Sequence, residues 1–237
     1  MPRIDVHNHL LPAIDDGCRT FEDSLTCVRT MMAHGYDRFF LTPHMGTKEF
    51  GTLTPASLRR AVARFRRRMA QEGVSAAFRA GGELRLSPRI LEWNDRSAVP
   101  TYGGNTSYCL VDLWEPDWPP WADATMAWLQ ERGLTVILAH PERMKCLQDD
   151  PGFIEVLARR GILFQGNFGP LGGSESDAIR LLAERFLRDG RYFLLGSDCH
   201  RAEHLPTRLA GLQRALELVG SATLETLTTT NASQLWV

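Results

Sequence analysis

Residues 3–44 read RIDVHNHLLPAIDDGCRTFEDSLTCVRTMMAHGYDRFFLTPH, a complete strand–helix–strand unit with histidine just beyond each strand. The apolar segments near 3–7 and 37–42 read as strands. Between them Phe21, Leu25, Val28 and Met32 fall at offsets 0, 4, 7 and 11, one face of a helical period, so 21–34 reads as a helix. Thr20 with Asp23 resembles a capping box, and Gly35 fits the position after the helix end.

The same alternation continues outward. Further strands are predicted near 76–82, 107–113, 134–139, 162–166 and 192–196. Helices are predicted near 55–72, 120–132, 151–160, 174–189, 203–219 and 221–235. Thr54-Pro55 starts the second helix, and Gly73, Gly133 and Gly161 close later ones. Strand-then-helix units without a linker or a repeat imply a parallel sheet covered by helices. The expected architecture is an α/β fold, a distorted TIM-like (β/α)7 barrel one unit short of the regular eight, formed by a single domain over residues 1–237.

Composition narrows the function classes. Lys plus Arg is 27 against 28 for Asp plus Glu, which gives no charge-driven reason to expect nucleic acid or anionic lipid. The cations are nearly all arginine, Lys48 and Lys145 being the lysines. No apolar run approaches the roughly 20 residues of a membrane span, and the N-terminus is already strand and site, without room for a signal-peptide core. The five cysteines, Cys18, Cys27, Cys109, Cys146 and Cys199, are scattered and form no C-x-x-C pair. No disulfide framework is expected, and a cytoplasmic location is the expectation.

The residues with chemistry cluster at predicted strand ends. His7 and His9 follow the first strand, with Asp15 and Asp16 on the loop beyond; His44 follows the second and Glu83 the third. Asp112 ends the fourth, His140 the fifth, and Asp198 and His200 follow the seventh. In a parallel barrel those ends converge on one face. Five of the seven histidines belong to this set. H-x-H works as a ligand pair because alternate residues of an extended segment point the same way, and Asp198-x-His200 repeats the device. Imidazole with carboxylate suits Zn, Mn or Fe, and the ligands exceed what one ion uses, so two or three ions are expected.

Six segments together resemble a known family. Asp5-Val6-His7-Asn8-His9, Asp15-Asp16-Gly17, Thr42-Pro43-His44, Gly82-Glu83, His140-Pro141-Glu142-Arg143 and Ser197-Asp198-Cys199-His200 are similar to the PHP (polymerase and histidinol phosphatase) family. The Asp-Asp-Gly turn, the His-Pro-Glu-Arg segment, Phe164-Gln165-Gly166-Asn167 and the tail Thr230-Asn231-Ala232-Ser233-Gln234-Leu235 resemble its CpsB/CapC-type bacterial tyrosine-protein phosphatases. The resemblance runs from residue 3 to about 235. It implies a seven-unit barrel holding three divalent transition-metal ions, Mn foremost, with Fe or Zn as alternatives. His7, His9, Glu83 and Asp198 would hold the first. Glu83 would bridge to the second, completed by Asp112 and His140, and Asp16, His44 and His200 would hold the third. Arg143 would bind phosphate oxygens, with Arg208 or Arg201 as a second cation, Arg208 being favoured. The implied substrate is a phosphotyrosine-bearing protein, the tail of a bacterial tyrosine autokinase that controls capsular or exopolysaccharide biosynthesis.

Two departures stand out. The fourth-strand acid is usually glutamate in the family and here is Asp112, and the segment after His200 runs a few residues longer before its arginine. Other features have ordinary readings. No cysteine is followed six residues later by arginine, which excludes the common thiol phosphatase loop. Cys199 reads as a small buried residue, His34 as a helix-end cap and His204 as solvent-exposed. The run Arg59-Arg60…Arg64…Arg66-Arg67-Arg68 reads as a solvated helix face, or else as a steering patch for an acidic tail. Trp114, Trp118 and Trp121 read as packing for a rigid loop, with one of them a candidate wall for an aryl group. The competing functions are a histidinol-phosphatase-like enzyme of small metabolites, a nuclease or amidohydrolase, and a metal-bound regulator without turnover.

Overall fold

A computed structural model of the chain describes residues 2–50, 52–104 and 106–236. Met1, Gly51, Asn105 and Val237, part of the expected 1–237 domain, lie outside the described residues. The strands are β1 (Arg3–Asp5), β2 (Tyr36–Leu41), β3 (His44–Met45), β4 (Ala77–Ala80), β5 (Glu83–Arg85), β6 (Tyr108–Asp112), β7 (Thr135–Ala139), β8 (Leu163–Asn167) and β9 (Leu194–Gly196). The helices are α1 (Phe21–Ala33), α2 (Pro55–Gln71), α3 (Pro120–Glu131), α4 (Lys145–Asp149), α5 (Phe153–Arg159), α6 (Phe168–Leu171), α7 (Asp177–Arg188), α8 (Leu205–Glu225) and α9 (Asn231–Ser233).

The strands form two sheets, ordered β1-β2-β4 and β3-β5-β6-β7-β8-β9, and among the described residues the neighbouring strands pair in parallel. The predicted strands 37–42 and 76–82 are each interrupted: Thr42-Pro43 separates β2 from β3, and Gly81-Gly82 separates β4 from β5. Proline cannot donate to a ladder, yet Gly81 N donates to Leu41 O at 2.9 Å and Glu83 N to Pro43 O at 3.0 Å, so bonding crosses the corner. At the other end Asn8 bridges Cys199, and Asp198 N donates to His7 O at 2.7 Å. The result is an α/β fold with a curled parallel sheet.

Strand alternation gives that sheet two apolar faces. Phe39, Cys109, Val111, Val136, Leu138 and Phe164 pack in the larger core, which includes the helices. Ile4, Val6, Phe40, Leu110, Ile137 and Leu194 form a second cluster on the opposite face. Ala232 and Leu235 join that second cluster, and Asn231 Nδ2 donates to Phe193 O at 2.9 Å. The C-terminal tail therefore seals the sheet at the end where strands begin, opposite the predicted site.

Local signals mostly held, with instructive departures. Thr20 Oγ1 accepts from Asp23 N at 3.1 Å as a cap should, but Asp23 Oδ1 accepts from Ala202 N instead of closing the box. Thr54 with Ser57 makes a reciprocal box before Pro55. Gly220, at φ 75°, breaks α8 between the predicted helices 203–219 and 221–235. Among the described residues no α-helix follows the third unit: between β5 and β6 they carry three short 3₁₀ turns, in a stretch broken by Pro88, Pro100 and Gly103.

Candidate metal centre

All nine predicted ligands come together at the ends of the strands. β1 runs directly into His7 and His9, whose Nε2 atoms face each other at 3.4 Å. Around them stand Glu83, the first residue of β5, and Asp198, just past β9. His7 Nε2 lies 3.3 Å from Glu83 Oε1 and 3.6 Å from Asp198 Oδ1. His9 Nε2 lies 3.4 Å from both Glu83 Oε2 and Asp198 Oδ1. Ligand atoms placed tetrahedrally about 2.05 Å from one ion would be separated by roughly 3.3 Å, so the spacing fits a shared ion.

The remaining ligands group differently from the expected second set: Glu83 clusters with His7 and His140 and, separately, with His44 and Asp112, while Asp16, His44 and His200 gather with His9. Glu83 Oε1 lies 2.9 Å from His140 Nε2, and His140 Nδ1 lies 3.8 Å from Asp112 Oδ1. Asp16 Oδ1 lies 3.6 Å from both His44 Nε2 and His200 Nε2. His44 Nδ1 and Glu83 Oε2 approach to 2.8 Å, yet both are buried without a hydrogen-bond partner. Orphaned buried polar atoms turned toward one another are what a bound cation would satisfy. The first grouping is the deepest, His7 and His9 being fully buried, whereas Asp16 is exposed on the open side.

Backbone strain helps aim two of the ligands. His140 and Asp198 hold left-handed conformations, φ 32° and 47°, each costing of order 1–3 kcal/mol outside glycine. His140 N donates to Gln165 O at 2.7 Å, fixing that turn. The Asp15-Asp16-Gly17 turn is fixed by contact with His9. Cys18 N donates to His9 O at 3.0 Å, and a Cβ on Gly17 would lie 2.1 Å from that oxygen, so the close approach requires glycine.

A ring of polar side chains orients the ligands; sequence reasoning places Asp15 among the acids near the site, reads Trp114 as loop packing or an aryl wall, and assigns Asp5, Gln165, Asn167 and Ser197 no role. His9 Nδ1 donates to Asp15 Oδ2 at 2.7 Å, and His7 Nδ1 to Gln165 Oε1 at 2.6 Å. Asn167 Nδ2 donates to Asp198 Oδ2 at 2.9 Å. Trp114 Nε1 donates to Asp112 Oδ2 at 2.6 Å, leaving the other oxygen toward His140. Asp5, buried within β1, accepts from Ser197 N and Ser197 Oγ at 3.0 and 2.7 Å, tying the first and last motifs together. A usable signal existed for Asp5, since an aspartate inside a strand is disfavoured unless something holds it. Ligand histidines also nearly always have such a partner on the second nitrogen.

Electrostatics follow burial and neighbours. Burial alone would raise Glu83 and Asp198. Charge on His7 and His44 outweighs it for Glu83, and charge on Arg143, His200 and His7 does so for Asp198, so both stay well below the carboxylate range. Burial dominates at Asp112 and raises it. Burial and the charge of His9 push His200 down to about 4.

A cavity of about 550 Å³ opens over these ligands. Phe50 stacks on His44 at 5.3 Å between centroids and Trp114 meets His44 edge-on at 5.5 Å, giving the mouth aromatic walls. Trp118 instead bonds Asp123 and packs edge-on to Phe153, away from the mouth. Arg143 lines the cavity, with Nη1 2.7 Å from Asp198 Oδ2 and Nη2 2.7 Å from Glu175 Oε1. Arg208 is buried below, its Nη2 donating to Asp198 O at 3.2 Å. Arg201 Nη2 reaches Asp16 O at 3.3 Å. Cys199 is buried with Sγ 3.9 Å from Cys27 Sγ. His34 caps α1, and His204 is half-buried in none of the ligand groupings. Of the arginine run, Arg68 pairs with Glu22 on the exposed helix face.

Comparison with known proteins gives a consistent result. A family model described as "Capsular polysaccharide synthesis, CpsB/CapC" matches residues 3–236. The tyrosine-protein phosphatase YwqE of Bacillus subtilis (strain 168) is 26% identical over 213 residues, 90% of this chain and 82% of that protein. The tyrosine-protein phosphatase CpsB of Streptococcus agalactiae serotype V is 24% identical over 216 residues, 87% of this chain and 86% of that protein. A solved structure described as one of YwqE from Bacillus subtilis and CpsB from Streptococcus pneumoniae, "unique metal-dependent tyrosine phosphatases", superposes with a TM-score of 0.85 at 25% identity. That match covers 98% of this chain and 93% of the other.

Proposed function

The chain belongs to the CpsB/CapC family of capsular polysaccharide synthesis proteins, and from that premise we propose that it is a metal-dependent protein-tyrosine phosphatase. The observation that carries this reading is the convergence of nine imidazole and carboxylate ligands beneath a cavity with an arginine and two aromatic walls. We read the curled sheet as one distorted (β/α)7 barrel in which β2–β3 and β4–β5 are single bent strands, and the whole chain as one domain.

His7, His9, Glu83 and Asp198 would hold one divalent ion; Glu83, Asp112 and His140 a second; Asp16, His44 and His200 a third, with Mn foremost and Fe or Zn as alternatives. Bound divalent ions supply Lewis-acid polarisation and lower the pKa of water, from 15.7 toward about 7 in the best-known zinc site. Arg143 presents a planar fork at the cavity wall, matched to two non-bridging phosphate oxygens once it releases Glu175. Arg208 holds the carbonyl of Asp198 from below. We therefore assign it the positioning of that left-handed turn as its part in binding phosphate. Phe50 and Trp114, edge to face at 6.5 Å between centroids, together give the cavity an aromatic wall for a phenyl ring to lie against. Phenolate, with a parent pKa near 10, leaves far more readily than a serine alkoxide, so weak proton donation in the cavity suffices for phosphotyrosine. The buried thiols supply no nucleophile: Cys18, Cys27, Cys109 and Cys199 are sealed in the core and none lines the cavity.

The substrate proposed is the phosphotyrosine-bearing tail of a bacterial tyrosine autokinase acting in polysaccharide export, met in the cytoplasm. Among the described residues, no helix is long and apolar enough to cross a membrane. A panel of phosphotyrosine peptide, phosphoserine peptide and histidinol phosphate, offered to Mn-loaded protein, tests the reading. The expected order by kcat/KM places phosphotyrosine first. Histidinol phosphate in first place would replace this reading with the small-metabolite one.

A further inference from the structure

β3 and β5 separate the metal cavity from a second groove of about 560 Å³. His44 and Glu83 line the metal cavity, while the next residue of each strand, Met45 and Leu84, turns to the other side and forms the groove's apolar floor. Four cations border this groove, Lys48, Arg59, Arg85 and Arg89, and no carboxylate does among its described lining residues. Lys48, Arg59 and Arg89 are exposed, and among the described residues none of the three has an ion-pair partner. Arg85 is already engaged, over the Trp114 ring at 4.2 Å and 3.8 Å from Glu115. The nearby Glu49 lines the metal cavity instead. The amino end of α2, from Thr54 to Ala56, adds its positive dipole to the same rim.

A chain with net charge −1 has no general excess of cations to explain this local one. The groove also adjoins the metal cavity, sharing the segment from His44 to Phe50 as their common wall. We propose that it binds an acidic stretch of the substrate polypeptide beside the phosphotyrosine, Lys48, Arg59 and Arg89 meeting its carboxylates and Met45 and Leu84 its aliphatic stems. This rests on the phosphatase reading for the identity of the cavity's occupant. Within the arginine run, Arg59 is the member that borders the groove; Arg66 and Arg67 border a separate depression with Phe78.

The test uses Mn-loaded protein and two phosphotyrosine peptides, one flanked by glutamates and one by alanines. Two exposed ion pairs lower KM for the acidic peptide by roughly fivefold. The double variant Lys48→Ala/Arg89→Ala should erase that difference while leaving kcat, turnover of p-nitrophenyl phosphate and the melting temperature unchanged. Raising salt should erase the parent's preference too. A preference absent from the parent, or retained by the double variant, overturns the proposal. Should neither peptide be hydrolysed, the phosphatase reading has failed, and fluorescence anisotropy of a labelled, unphosphorylated glutamate-rich peptide still decides the groove. Binding weakened by the double variant supports it, and equal binding by parent and variant overturns it.

Discussion

Replacing Asp15 with asparagine should loosen metal binding although Asp15 itself is not expected to touch an ion. Its side chain is fully buried and its two oxygens accept three hydrogen bonds. Oδ2 takes one from His9 Nδ1 at 2.7 Å and one from His44 N at 3.0 Å, while Oδ1 takes one from Gly17 N at 3.1 Å. Asparagine has the same shape but one oxygen, so its amide must face either Gly17 N or the pair from His9 and His44. Either way a donor meets a donor, and leaving one buried donor unsatisfied costs about 1–3 kcal/mol. Where the amide faces His9 and His44, both lose their acceptor, and in the structure these two stand in one ligand cluster with Asp16 and His200. Removing such a carboxylate partner typically lowers metal affinity roughly 10- to 100-fold, which corresponds to about 1.4–2.7 kcal/mol. Competition of Mn²⁺ between protein and a chromophoric chelator measures the affinity, and a melt of chelator-treated protein measures the metal-free stability. Both should fall. An Asp15→Asn protein with parental affinity and parental melting temperature would refute the assignment of Asp15 as the group that orients His9.

Asp112→Ala should lose one ion per chain by elemental analysis, whereas Asp112→Glu should keep the full complement because its longer side chain still reaches His140. Unchanged metal content in Asp112→Ala removes the residue from the ligand set. Arg143→Lys keeps the charge but not the fork, and losing a charge-assisted hydrogen bond worth about 1.5–3 kcal/mol should cut kcat by about tenfold or more with metal content unchanged. Parental activity on both an aryl phosphate and a phosphotyrosine peptide would end the phosphate-clamp assignment. Single alanine substitutions of the five cysteines should each keep activity within about tenfold, since thiol nucleophiles leave far larger signatures on removal. Complete loss in one folded, metal-loaded variant would revive covalent thiol chemistry.

The order of strands and helices was legible because apolar period and helix-end glycines report local structure directly. Phe21, Leu25, Val28 and Met32 lie on α1 as their spacing required, Phe21 and Val28 buried in the core that also holds Phe65 and Phe78, and Leu25 and Met32 packed against it. The bends at Thr42-Pro43 and Gly81-Gly82 were not legible, because a corner in a sheet depends on which neighbour each half pairs with. The ligands were legible for a chemical reason: histidine and carboxylate at the end of an apolar strand have few structural uses. Their supports were not. Gln165, Asn167 and Trp114 bond ligands from distant parts of the chain or through an indole, and no spacing encodes that geometry. The second arginine shows the same limit: the sequence brought Arg208 within reach of the site, and only three dimensions placed it beneath Asp198.

The most direct test of the central claim is release of inorganic phosphate from a phosphotyrosine peptide by protein stripped with chelator and then reloaded with Mn²⁺, with metal content determined alongside. The account predicts at least two ions per chain before stripping, loss of activity when they are removed, and its return on reloading. Full activity in protein holding less than one ion per chain would contradict it.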